Sequence, residues 1–259
     1  MIASLAMYDW PEVRGEHDRL WSLIRGGLAA EGIAAPGALT RDAPLWDIWE
    51  SPDLLLAQTC GMPYRTRLHG RVALVATPDY GLPDAPPGHY YSVLVARAEE
   101  PGEAPDFLDR TLAFNGQDSQ SGWAAPQNHM ARHGGSHGGR FTRTLHTGAH
   151  VDSARAVAEG RADIAAIDAV SWRLLTAHRP GIAERLRVLG HTDPTPGLPL
   201  ITALGRDPAP LARATAAAIA ALTATDRAAL GLRGVVGIPA EAYLAVPTPP
   251  PPSQDVPVN

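Results

Sequence analysis

Lysine is absent from all 259 residues, so the 22 basic side chains are every one arginine. Without an amine side chain, Schiff-base catalysis and the lysine of a nucleotide-binding P-loop are excluded, which argues against pyridoxal-phosphate enzymes and kinases. Cysteine is nearly absent too: Cys60 stands alone, and no disulfide within the chain is available. No apolar run approaches the roughly 20 residues of a membrane-spanning helix. The first residues lack the basic region and cleavage site of an export leader, and Ile2–Met7 reads instead as a strand. A surplus of positive charge is also missing. The formal net charge of −5 argues against nucleic-acid binding, which requires a basic face. A small anion stays admissible, because backbone dipoles act locally against a weak global field.

Hydrophobic residues at 45% and charged residues at 19% suit a globular chain with a sizeable core. The length allows one large domain or two modest ones. Short apolar runs at Leu54–Ala57, Val72–Ala76 and Tyr90–Ala96 predict strands, and the stripe Leu20, Leu23, Ile24, Leu28 predicts a helix over Val13–Ala30. A second series follows: strands at Thr111–Phe114, Arg143–Thr147, Ala162–Ile167 and Arg187–Leu189, with helices at Val151–Glu159 and Val170–His178. Leu198–Ala203 resumes strand character, Pro210–Leu230 is helical, and Ala240–Leu244 forms a short last helix. This alternation predicts an α/β fold with parallel pairing. Turn-rich crossings at Arg97–Pro105 and His191–Pro199 divide it into a discontinuous lobe, residues 1–97 plus 195–259, and an inserted lobe, residues 98–194. Two crossings make a double hinge, an arrangement suited to closure over a ligand. The proline-rich tail from Pro247 is expected to be disordered.

In open α/β sheets, ligands bind where strands end and helices begin. The junctions here are Met7-Tyr8-Asp9, Gln58-Thr59-Cys60-Gly61, Asp118-Ser119-Gln120-Ser121-Gly122, Thr147-Gly148-Ala149-His150 and Ile167-Asp168. The third is the most telling, because a helix N-terminus offers unpaired N–H groups and about half a positive charge to an oxyanion. Gly122 permits close backbone approach, and Ser119 and Ser121 add hydroxyls. Helix capping by either serine is the plain alternative. Charge-assisted hydrogen bonds of about 1.5–3 kcal/mol each make an anion site workable without a basic side chain.

The ordered set Met7-Tyr8-Asp9-Trp10-Pro11, Gln58-Thr59-Cys60-Gly61-Met62-Pro63-Tyr64, Asn115 to Gly122, Thr147 to His150 and Ala162 to Asp168 resembles the PhnD-like phosphate and phosphonate substrate-binding proteins of ABC transporters. The resemblance spans nearly the whole chain except the tail. It implies a type II periplasmic-binding-protein fold of two α/β lobes, a phosphate or phosphonate ligand between them, a permease partner and a periplasmic location. It also implies that Tyr8, Thr59, Tyr64, Ser119, Ser121, Gly122, His150 and Asp168 face the ligand. Gly61, Gln120 and Thr147 join that set from the same junctions. Two departures stand out: Pro126 falls early in the helix after Gly122, where it costs a hydrogen bond or a kink, and no leader precedes the chain, which keeps a cytoplasmic location open.

Each candidate has a bland role beside the functional one. His150 is a helix-start polar residue or an anion donor whose contribution falls as pH rises. Asp168 is an N-cap, or an acceptor for a protonated phosphate oxygen or an ammonium group. Tyr8 and Tyr64 are packing residues or hydroxyl donors. Cys60 is a small buried residue before it is a nucleophile, and Trp123 is a natural fluorescence reporter. His129, His133 and His137 recur every four residues, yet Gly134 and Gly135 interrupt the helix and no sequence-near carboxylate completes a metal shell. The expectation is therefore a monomeric oxyanion-binding protein with no catalytic residues, cofactor or metal. The rival readings are a cytoplasmic sensor of the same fold and an enzyme acting on a phosphorus compound through Cys60, or through His150 with Asp168.

Overall fold

Residues 1–134 and 139–252 are described by the structure, a computed structural model. The chain forms two compact units: Met1–His89 with Pro196–Ala245, and Tyr90–Thr195 with the segment from Val246 onward. The first run of chain carries β1 (Ile2–Ser4), α1 (Arg14–Ala30), α2 (Leu45–Trp49), β2 (Leu54–Gln58), a helical turn from Gly61 to Leu68, and β3 (Val72–Asp79). The second unit carries β4 (Ser92–Arg97), β5 (Thr111–Phe114), α3 (Ala125–His133), β6 (Arg143–His146), α4 (His150–Ala158) and β7 (Ile164–Asp168), then α5 (Ala169–His178), α6 (Pro180–Ala183) and β8 (Leu186–His191). Returning to the first unit, the chain forms β9 (Leu200–Ala203), α7 (Ala209–Ala221), α8 (Ala224–Leu230), β10 (Gly234–Val236) and α9 (Ala240–Leu244).

The sheet of the first unit runs β1-β2-β9-β3-β10, and that of the second β6-β5-β7-β4-β8. Every residue of β2 and β7 is buried, as expected of strands covered on both faces. Leu20, Trp21, Ile24 and Leu28 bury one stripe of α1, and the apolar three-four spacing is what makes that segment a helix with an inward face.

Pairing is mixed rather than uniformly parallel. β9 lies antiparallel between β2 and β3, and β4 is antiparallel to both β7 and β8. The reason is topological: β4 and β9 are the first strands after the chain passes from one unit to the other, so no crossover helix sets their direction. For the same reason the boundary falls after His89, not after Arg97, because β4 completes the second sheet. The predicted strand Ile2–Met7 stops at Ser4 and tightens into a 3₁₀ turn over Ala6–Tyr8. The alanine-rich helix breaks in two, with Thr223 accepting a hydrogen bond from the Asp226 amide at 3.1 Å to start α8.

Parallel strands remain where they matter for the site. β6 and β7 both run parallel to β5, and β1 runs parallel to β2. The carboxyl ends of β5, β6 and β7 therefore share one edge of the second sheet, and those of β1 and β2 share one edge of the first. The tail also departs from expectation. Pro249 is buried, the Asn128 side chain donates to the Pro247 carbonyl at 2.8 Å, and the Trp123 indole donates to the Pro250 carbonyl at 3.1 Å. Proline supplies carbonyl acceptors in an extended conformation without requiring donors in return, so this run is ordered as far as Pro250.

Candidate functional site

The segment after β5 does not enter an ordinary α-helix. Residues Gln120–Ala124 form a π-helical turn, with the Ala125 amide donating five residues back to the Gln120 carbonyl, and α3 follows directly. Wide turns of this kind recur at functional sites. Ser119 caps the turn: its Oγ accepts from the Gly122 amide at 3.0 Å, and its carbonyl accepts from the Trp123 and Ala124 amides. The capping role expected of one of the two serines falls to Ser119.

Ser121 is thereby left for other work. It is 4% exposed, and its Oγ lies 2.9 Å from His150 Nε2 and 3.4 Å from Ser119 Oγ. Pro126 cannot donate to a carbonyl behind it, and the acceptor five residues back is that of Ser121. The Ser92 hydroxyl fills the position, donating to the Ser121 carbonyl at 2.8 Å, while the Ser92 amide donates to Thr192 Oγ1 at 3.0 Å. Ser92 sits on β4, far off in sequence, and no local signal marks it. Pro126 thus costs neither the turn nor the helix.

Gly122 is required by a side chain. A Cβ there would stand 1.9 Å from Asn115 Oδ1 and 3.3 Å from the Asn115 amide nitrogen, so the Asn115 side chain would have to move aside. Asn115 Oδ1 is itself buried without a hydrogen-bond partner. Gln120, 1% exposed, completes the buried run of the turn.

His150 opens α4, behind a residue, Ala149, that offers no side-chain cap. Burial pushes its imidazole down to about 4, with the Ala166 backbone opposing the shift in part. Desolvation is the larger of the two effects, so burial prevails. The ring is neutral at physiological pH and meets Ser121 as a hydrogen-bonding group, not as a charge.

Thr147 and Asp168 hold the edge in place. Thr147 Oγ1 donates to the Phe114 carbonyl at 3.0 Å and pairs with Ser153 Oγ at 2.6 Å, locking the loop into α4. Gly148, at φ +88°, lets the chain turn there. Asp168, 2% exposed, caps α5 by accepting from the amides of Val170 at 2.8 Å and Ser171 at 3.0 Å. Trp123 is 3% exposed against Phe114, at a ring separation of 5.2 Å.

In the first unit, Tyr8 ends the 3₁₀ turn after β1 and meets the Tyr80 ring edge-on at 5.1 Å. Asp9 beside it is tied to Arg41 at 2.5 Å. Thr59 follows β2, fully buried, with its Oγ1 lacking any hydrogen-bond partner. Buried hydroxyls are seldom left so, which makes Thr59 the strongest polar candidate of this unit. Gly61 is buried at the helical turn, and Cys60 is half-buried, not enclosed. Tyr64 lies in the core with Ile48, Trp49, Leu68 and Tyr243, and burial raises the pKa of its hydroxyl.

The structure therefore assembles Ser119, Gln120, Ser121, Gly122 and His150 into one group, gives Thr147 and Asp168 positioning duties, and leaves Thr59 as an unpartnered buried hydroxyl. Of the histidines at four-residue spacing, His129 and His133 share α3, and His137 lies outside the described residues.

No curated protein shows significant sequence similarity to this chain. Solved structures share its fold at low identity. A Xanthomonas citri protein bound to chloride matches with a TM-score of 0.67 at 17% identity, covering 93% of this chain and 92% of that one. PhnD1 from Prochlorococcus marinus, in complex with methylphosphonate, matches with a TM-score of 0.66 at 13% identity, covering 93% and 94%. A binding-protein component of an ABC phosphonate transporter from Pseudomonas aeruginosa matches with a TM-score of 0.61 at 16% identity, covering 91% and 80%. These neighbours establish a type II periplasmic-binding-protein fold. The family profile described as ABC transporter, phosphonate, periplasmic substrate-binding protein matches residues 53–240, a span that takes in the Thr59 junction, the capped π-turn and His150. With that match over most of its length, the chain belongs to the periplasmic phosphonate-binding proteins of ABC transporters.

Proposed function

We propose that this chain captures a small phosphorus oxyanion, phosphate or a phosphonate, and presents it to an ABC permease in the periplasm without altering it. The observation that carries the reading is the Ser119–Ser121–His150 group, in which Ser121 Oγ bridges to a neutral, buried imidazole at 2.9 Å. Hydroxyls, an imidazole N–H and the first amides of a helical segment are uncharged donors. They suit an oxyanion that must be held and then released. The Thr59 hydroxyl, buried and unsatisfied, is a further donor of the same kind in the first unit. Membership of a solute-binding family supports transport, and no helix among the described residues is long and apolar enough to cross a membrane.

The Ser121–His150 pair also has the separation of a nucleophile and its base. A base of that kind requires a third group to orient its other nitrogen. The Ala166 backbone, not a carboxylate, stands beside the His150 ring, which fits a binding device better than an oriented base.

Calorimetric titration with phosphate, phosphite and methylphosphonate tests the proposal. Ser121→Ala is expected to weaken the preferred ligand by at least about tenfold, the loss of one charge-assisted hydrogen bond, with the fold retained by circular dichroism. Unchanged affinity in the folded variant would remove Ser121 from the site. Phosphorus NMR of the bound ligand is expected to show it intact after prolonged incubation, and turnover would reinstate the enzyme reading.

A further inference from the structure

A second constellation lies within the same unit, outside the Ser121–His150 group. His129 and His133 stand one turn apart near the end of α3, their rings 4.7 Å from centre to centre. Asp193, just beyond β8, reaches them from the other side. His133 Nε2 lies 2.9 Å from Asp193 Oδ2 and 3.0 Å from Oδ1, and His129 Nδ1 lies 3.8 Å from Oδ1. One ligand atom from each of the three residues falls within 4.8 Å of the other two. The carboxylate that the local sequence does not offer is supplied from 60 residues away.

We propose that His129, His133 and Asp193 form a binding site for a divalent transition metal of the zinc class. Bonds of about 2.0–2.2 Å to nitrogen and oxygen place tetrahedral ligands roughly 3.4 Å apart. The two His133–Asp193 separations and the His129–Asp193 separation bracket that value. Closing the set requires the three side chains, whose ligand atoms already lie within 4.8 Å of one another, to draw in toward a common centre. His129 Nδ1 is buried and makes no hydrogen bond, with the Asp193 carboxylate at 3.8 Å as its charged neighbour. Two imidazoles with one carboxylate select zinc, nickel, cobalt or copper over magnesium and calcium, which prefer all-oxygen shells. Three protein ligands leave a fourth position for water.

Arg132 donates to Asp193 Oδ2 at 2.7 Å, so its guanidinium already neutralises the carboxylate and competes with a metal cation. The site would pin the end of α3, the helix that begins at the capped π-turn, to the segment through which the chain leaves the second unit. Metal and oxyanion then act on opposite ends of one helical segment.

Tag-free protein titrated with Zn²⁺ against a chromophoric chelator is expected to bind one ion per chain with micromolar affinity. Co²⁺ is expected to give the visible bands of a low-coordinate nitrogen–oxygen complex. His133→Ala and Asp193→Asn should each weaken Zn²⁺ by about tenfold or more, while Arg132→Ala, which frees the carboxylate of its competing cation, tightens it. Circular dichroism of each variant checks that the fold is retained. The proposal is overturned if wild type binds no Zn²⁺ below millimolar concentration. It is equally overturned if Asp193→Asn binds as wild type does, since that would show a surface histidine pair acting alone.

Discussion

At the scale of single residues, His150 makes the sharpest statement. An imidazole held near 4 in the folded chain and titrating near 6.5 when unfolded takes up a proton more readily in the unfolded state. Its contribution to stability is therefore complete above pH 6.5 and is lost progressively as pH falls toward 4, by at most about 3 kcal/mol. Urea denaturation of wild type and His150→Gln at pH 7.5 and pH 4.5 checks this. Glutamine keeps a donor for Ser121 but does not titrate, so the variant is expected to lose markedly less stability between the two conditions. Equal losses would mean that the ring is solvated and charged, and that Ser121 faces a cation in acid. The sequence placed His150 at a helix start and Ser121 in a glycine-bearing turn. It did not show that the two touch, because their contact depends on the parallel pairing of β5 with β6 and β7.

At the scale of elements, the π-turn is where local and distant sequence meet. Ser119 capping and the glycine at 122 are local features, visible as a serine-glycine run after a strand. The carbonyl that Pro126 cannot serve is satisfied by Ser92, which arrives on an antiparallel strand that sequence periodicity alone would pair the other way. Ser92→Ala leaves the Ser121 carbonyl buried and without its donor. It is expected to destabilise the protein by about 1–3 kcal/mol and to weaken ligand binding, because the turn carrying Ser121 relaxes. Chemical denaturation and calorimetry on the same variant separate the two effects. Full stability would show that water replaces the Ser92 hydroxyl. Asp168 and Thr147 teach the complementary lesson. Both were expected at strand–helix junctions, where Asp168 caps α5 and Thr147 ties the loop to Phe114 and Ser153, so a junction residue can hold the edge whatever else it does.

At the scale of the whole molecule, the second unit is assembled from two stretches of chain. The run after Val246 returns to it, and the Trp123 indole and the Asn128 amide both donate to its carbonyls. Deleting the residues after Val246 removes those acceptors and uncovers Trp123. The shortened protein is expected to show red-shifted tryptophan emission relative to the full chain, and an unshifted spectrum would mean that the tail does not cover the indole in solution.

The α/β class, most strand and helix positions, the strand-end junctions and the resemblance to phosphonate-binding proteins were legible in the chain before any folding was considered. The class, the elements and the junctions follow from short-range rules, since apolar periodicity, capping chemistry and glycine punctuation act over a few residues; the resemblance rests on the ordered set of motifs. Strand direction after each crossing, the partners of Ser121, the unsatisfied Thr59 hydroxyl and the meeting of His129 and His133 with Asp193 emerged with the folded chain. Those depend on which strands lie side by side, and sheet order is fixed by long-range burial that no local pattern encodes.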